Sequence, residues 1–112
     1  MGRFMYGDTA HEAYTVDDRT LAHIELAIGA QLRKGAAFAF TLEGDLVPAG
    51  RGRHVLWVHP AIPMQFRYQS ERSGIRINPS WVADLAATAG SELGLRIIPE
   101  PSHTEARTPL YG

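Results

Sequence analysis

Arg53–Gln69 reads RHVLWVHPAIPMQFRYQ, and its pattern decides what kind of fold the chain can adopt. Two strand-like segments flank His59-Pro60-Ala61-Ile62-Pro63, a corner stiffened because each proline locks its own φ and withholds a ladder donor. The second segment alternates cleanly, with Met64, Phe66 and Tyr68 on one side and Gln65, Arg67 and Gln69 on the other. The first is apolar on both sides: Leu56 and Val58 share one face, Val55 and Trp57 the other. A strand of that kind needs cover on both faces, which bears on partners.

Outward from this corner, the chain supplies the rest of an α+β domain. Arg3–Tyr6 and Glu12–Val16 suit a hairpin around Gly7-Asp8-Thr9-Ala10. A helix follows, with Asp17 as N-cap and Val16 and Leu21 as a hydrophobic staple. Its core stripe is Leu21, Ile24, Ile28 and Leu32, while Arg19, Glu25 and Gln31 are free to face water. Arg33 and Lys34 suit the negative end of the helix dipole, and Gly35 stops the helix. Residues 36–43 alternate as a strand with Phe38, Phe40 and Leu42 on one face. Gly44–Gly52 is a loop.

Beyond the corner, Ser70–Gly74 turns the chain, and Ile75 and Ile77 frame a short strand. A second helix has Asn78 as cap and Pro79 at its first position. Val82, Leu85, Ala86, Ala89 and Leu93 point inward there, with Trp81 at the margin. Gly94 ends it, and residues 95–98 make a last strand before Pro99 and Pro101. Residues 1–101 thus form one domain, and 102–112 (SHTEARTPLYG) a polar tail with an apolar tip. The expected architecture is a two-layer sandwich, a mainly antiparallel sheet with both helices on one face.

At 112 residues the chain can bury enough surface to fold without a staple. It has no cysteine, which removes disulfides, thiolate zinc sites and a cysteine nucleophile together. The start, MGRFMYGD, lacks an apolar signal core, and no apolar run approaches the roughly 18 residues of a membrane span. A soluble cytoplasmic protein is therefore expected, without membrane association. Net charge is −1, so nucleic acid would need a local basic patch rather than long-range attraction.

No catalytic, cofactor or metal set emerges. Lys34-Gly35-Ala36-Ala37-Phe38-Ala39-Phe40 partly matches an RNA-recognition run, but Ala36 and Thr41 stand where stacking rings are required. Histidines 11, 23, 54, 59 and 103 lack close-spaced partners, and His54 and His59 fall on opposite faces of a strand. Ser70, Ser73 and Ser80 have no nucleophile-elbow context, and Lys34 has no phosphate loop around it. Arg51 and Arg53 in GRGR could meet an anion, although a solvated loop explains them as well.

One surface constellation remains. With Phe66 and Tyr68 under the helices, Gln65 and Arg67 lie on the outer sheet face. Arg3, Arg76 and Arg96 alternate with Phe4, Ile75, Ile77, Leu95 and Ile97 and emerge there too, beside Trp57 or Leu56. Arginine and tryptophan together suit the core of a protein interface or a set of phosphate contacts. The plainer reading is an exposed face whose arginines pair with Glu12, Glu43 or Glu71. The expected function is a non-enzymatic binding or assembly domain, as a homodimer or with a protein partner. The alternative is a DNA-associated accessory module.

MGRFMYG, DDRTLAHIELAIGAQLRKGAAFAFTL, LWVHPAIPMQFRY and INPSWVADLAATAGSELGLRIIPEP together resemble a family of small actinobacterial proteins of about a hundred residues. That family is uncharacterised, and many members carry the label "ATP-dependent DNA ligase". The resemblance spans roughly residues 1–101 and implies no catalytic residues. A nucleotidyl-transferring ligase needs a lysine within K-x-D-G, whereas Lys34 is followed by Gly35-Ala36-Ala37. An exposed lysine is protonated at neutral pH and a poor nucleophile.

Overall fold

The computed structural model describes residues 1–7, 12–47, 52–69 and 74–101. The turn at 8–10, His11, Arg51, Ser70 to Ser73 with Glu71, His103 and the tail with Leu110 and Tyr111 lie outside the described residues. The elements are β1 (Gly2–Tyr6), β2 (Glu12–Val16), α1 (Asp18–Arg33), β3 (Phe38–Glu43), β4 (Arg53–Val58), β5 (Met64–Arg67), α2 (Pro79–Thr88) and β6 (Leu95–Arg96).

The class is α+β and the pairing mainly antiparallel, as expected, but the strands form two sheets rather than one. The first has the order β2-β1-β5 and the second β4-β3-β6, with only β3–β6 parallel. The proline corner is the reason. It carries the chain from β4, an edge of the second sheet, to β5, an edge of the first. Ile62 N–H donates to the His59 carbonyl at 3.0 Å and Ala61 N–H to His59 Nδ1 at 3.0 Å, closing the turn on itself. Gly7 N–H donates to the Pro63 carbonyl at 2.9 Å, anchoring the corner's exit to the end of β1.

One core serves both sheets and both helices. Phe4, Tyr14 and Val16 enter it from the first sheet, and Phe38, Phe40, Leu42, Val58 and Leu95 from the second. Leu21, Ile24, Ala27 and Ile28 of α1 and Trp81 and Leu85 of α2 complete it. The Phe4 ring is the hub: it lies 5.2 Å from Phe66 in its own sheet and meets Phe40 of the other edge-on at 5.5 Å. Such offset and edge contacts suit aromatic quadrupoles.

Local sequence explains both helices. Asp17 caps α1, accepting from the Thr20 N–H at 3.1 Å, and Gly35, at φ 76°, ends it in a conformation glycine adopts freely. Leu21, Ile24 and Ile28 are buried as the stripe requires, joined by His23 and Ala27. Of the three residues expected to face water, Glu25 does, while Arg19 and Gln31 are half-buried, and all three bridge to neighbours. Arg19 bonds Glu100, Glu25 accepts from the Tyr68 hydroxyl, and Gln31 donates to the Ala86 carbonyl.

Asn78 caps α2 through Oδ1, which accepts from Ser80 N–H at 3.1 Å, and Pro79 opens the helix. Two expectations are corrected there. Trp81 is 4% exposed rather than marginal, because its indole N–H finds the Ile98 carbonyl at 2.9 Å and the ring can then leave water. Leu93 is 52% exposed, because α2 stops at Thr88.

The strand expected around Ile75 and Ile77 is absent, and the last strand is only Leu95–Arg96. Side chains take the backbone groups a ladder would use. Arg19 Nη1 donates to the Arg76 carbonyl at 2.6 Å, and the Asn78 N–H donates to His23 Nε2 at 2.9 Å. The Ile98 carbonyl is held by Trp81.

Candidate functional site: the outer face of the second sheet

Cross-strand register assigns the outward residues. On the second sheet, Trp57 is paired with Ala39, Val55 with Thr41, and Arg53 with Glu43, while Arg96 flanks Thr41 from β6. Alternation sends their neighbours Phe38, Phe40, Leu42, Leu56, Val58 and Leu95 to the core side. Trp57, not Leu56, is therefore the outward residue of this pair. It is 67% exposed and Val55 50%, so β4 presents an uncovered apolar stripe along a sheet edge.

Leu93 extends that stripe. Its carbonyl accepts the Thr41 hydroxyl at 2.9 Å, which brings the 91–94 turn against the β6 side of the same face. Gly94 makes the approach feasible: a Cβ there would sit 2.3 Å from the Ala39 carbonyl oxygen, and its φ is 78°. Arg53 opposite Glu43 places both signs of charge at one end of the stripe. Sequence reasoning missed Leu93 because it extended α2 past its true end.

The arginines expected on one surface fall in three places. Arg3 and Arg67 face each other directly across β1–β5, with Gln65 one outward position further along β5, all exposed on the outer side of the first sheet. Arg96 and Trp57 lie on the second sheet. Arg76 belongs to neither, standing exposed in the segment before α2. Among the described residues the ion pair is Arg19–Glu100, which involves none of these.

Side-chain bonds also tie the two sheets. The Tyr14 hydroxyl on β2 and His54 Nδ1 on β4 are 2.7 Å apart, and the Tyr6 hydroxyl donates to the Trp57 carbonyl. The backbone of the apolar stripe is thereby tied to the first sheet. Burial raises the Tyr6 hydroxyl pKa, so it remains a donor at neutral pH.

A partly buried polar network lies apart from both faces. Arg19 binds Glu100 with two nitrogens, at 2.9 and 2.5 Å. The Asn78 amide donates to Glu100 at 3.0 Å, and His23 bridges Arg19 and Asn78. The bidentate contact with Glu100 raises the Arg19 pKa, while burial lowers that of His23.

Lys34 is exposed at the C-cap of α1. No group of three or more His, Asp or Glu able to hold a metal occurs among the described residues, nor a helix long and apolar enough to cross a membrane. A hollow of about 300 Å³ lined by Ala22, Glu25, Leu26, Tyr68, Ile75 and Ile77 contains none of the expected site residues.

No curated protein and no solved structure matches the chain. A match to a family described as a domain of unknown function, DUF7882, extends over residues 1–100, and the chain belongs to that family.

Proposed function

We propose that the domain is a non-enzymatic assembly module that docks through the outer face of its second sheet, and that its partner is a second copy of itself. Trp57 carries the reading: a tryptophan offers about 150–250 Å² for burial, and this one is 67% exposed beside Val55. Tryptophan and arginine are the side chains that dominate protein interfaces. A second copy suits the face because Arg53 and Glu43 give it both charges, so a two-fold pairing can set unlike charges against each other. A net charge of −1 adds little repulsion between copies. Sedimentation velocity at micromolar concentration should give a dimer, and Trp57→Glu a monomer with unchanged circular dichroism. A wild-type monomer throughout that range removes the reading.

A second reading follows from Arg3 opposite Arg67. Like charges directly across a strand pair repel, and a phosphate between them would relieve that cost. Here the domain is a DNA-associated accessory of ligation or repair without ligase activity, in keeping with the label of the proteins it resembles. Binding to nicked or single-stranded DNA should weaken with salt and in Arg67→Ala, while Arg96→Ala, on the other sheet, should leave it unchanged. No binding at low salt ends this reading.

A further inference from the structure

His23 is fully buried, and both its ring nitrogens are engaged in ways that fix its protonation state. The backbone N–H of Asn78, 2.9 Å from Nε2, can only donate, so Nε2 must be an acceptor without a proton. Nδ1 therefore carries the hydrogen and donates to the Arg19 carbonyl at 2.7 Å. The ring is neutral by construction. A second proton on Nε2 would oppose the Asn78 N–H at hydrogen-bonding distance, and the contact could not survive.

The residue that would be displaced is the hinge of a larger assembly. Asn78 is the N-cap of α2, and its side-chain amide reaches Glu100 and, at 3.4 Å, the Pro101 carbonyl. Trp81, one turn into α2, lies 4.5 Å from the imidazole and holds the Ile98 carbonyl. One imidazole thus joins α1 to the first turn of α2 and, through Asn78 and Trp81, to the strap of residues 97–101.

We propose that His23 is an acid-sensitive latch: its protonation frees the first turn of α2 and the 97–101 strap from α1 and exposes Trp81, while the two sheets remain folded. The charged groups facing the ring are Arg19 from α1, Asp17 just before α1, and Glu100 from the strap. Arg19 opposes a second positive charge, whereas Asp17 and Glu100 favour it. Burial acts against it and wins, which holds the folded pKa below the ordinary value. The opened state, with the ring in water, regains a pKa of about 6.5. The latch is therefore intact above that pH and loosens progressively as pH falls toward the folded pKa.

The test uses the full chain carrying Trp57→Phe, which leaves Trp81 as its single tryptophan. Acid titration should red-shift Trp81 emission and raise its quenching by acrylamide several-fold. The change should be reversible, while far-UV circular dichroism still reports folded sheets. NMR of labelled histidine follows His23 itself, and its transition should share the midpoint of the Trp81 change. His23→Gln, which can offer an acceptor to Asn78 and does not titrate, should abolish the transition. Loss of sheet signal at the same pH, His23 titrating without a Trp81 response, or an unchanged transition in His23→Gln each overturns the proposal. Should the variant not fold, the coincidence of the two wild-type midpoints decides.

Discussion

The hydroxyl of Tyr14 and Nδ1 of His54 lie 2.7 Å apart, with their rings nearly perpendicular at 87°, and this contact binds an edge strand of one sheet to an edge strand of the other. Tyr14 is 1% exposed, so the contact is made largely out of water.

Tyr14→Phe should therefore lower stability by about 1 kcal/mol, the net worth of a hydrogen bond. In a domain of this size that is a fall of about 4–8 °C in melting temperature. Differential scanning calorimetry checks it. No shift would mean that the shared core and the Tyr6–Trp57 bond hold the sheets without it.

The two tryptophans should respond oppositely to truncation. Trp81→Ala removes a buried ring and should cost about 3–5 kcal/mol, whereas Trp57→Ala should stay within about 0.5 kcal/mol of wild type. Urea denaturation distinguishes them. The exposed tryptophan would then matter to assembly and not to folding.

Asn78→Ala deletes the acceptor at the start of α2 together with a donor to Glu100. Loss of a helix cap costs about 1–2 kcal/mol. Amide exchange should quicken first at Ser80 and Trp81, whose N–H groups the Asn78 side chain accepts.

Gly94→Ala should be far worse than its single methyl group suggests. The backbone there is left-handed, and the new carbon would fall 2.3 Å from the Ala39 carbonyl oxygen. A loss of at least about 2 kcal/mol is expected. A thermal melt suffices to check it.

Incubation with radiolabelled ATP and magnesium should leave Lys34 unmodified. The residue is exposed at the end of α1 and has no acidic or glycine partner in a K-x-D-G arrangement. A labelled Lys34 peptide in mass spectrometry would reopen the nucleotidyl-transfer route.

Much of the fold was legible in local pattern. The caps Asp17 and Asn78, the stop at Gly35, and the alternation of Met64-Gln65-Phe66-Arg67 all announce their roles, because each is set by a few neighbouring backbone groups. The division into two sheets was not, since a local reading shows that the proline corner turns the chain but not which strands the two flanking segments join. The same holds for the site. Arg3, Gln65, Arg67, Arg76 and Arg96 were expected outward, with Trp57 or Leu56 beside them, yet which of them share a face depends on sheet membership. Arg19, expected to face water, was misjudged for a related reason: its partner Glu100 lies far along the chain, and a helical wheel cannot see it.

The order of strands in the first sheet has a kinetic consequence. β1 sits in the middle, but one of its neighbours, β5, is encoded some sixty residues later. At about 5–20 residues per second, a ribosome needs roughly 3–12 s to deliver it. Until then β1 has a single strand neighbour, a pairing marginal in water, and Phe4 lacks the Phe66 ring beside it. The nascent chain passes through a window in which its stickiest surface waits for a late-made companion, so slowing translation between β2 and β5 should increase its demand for chaperones.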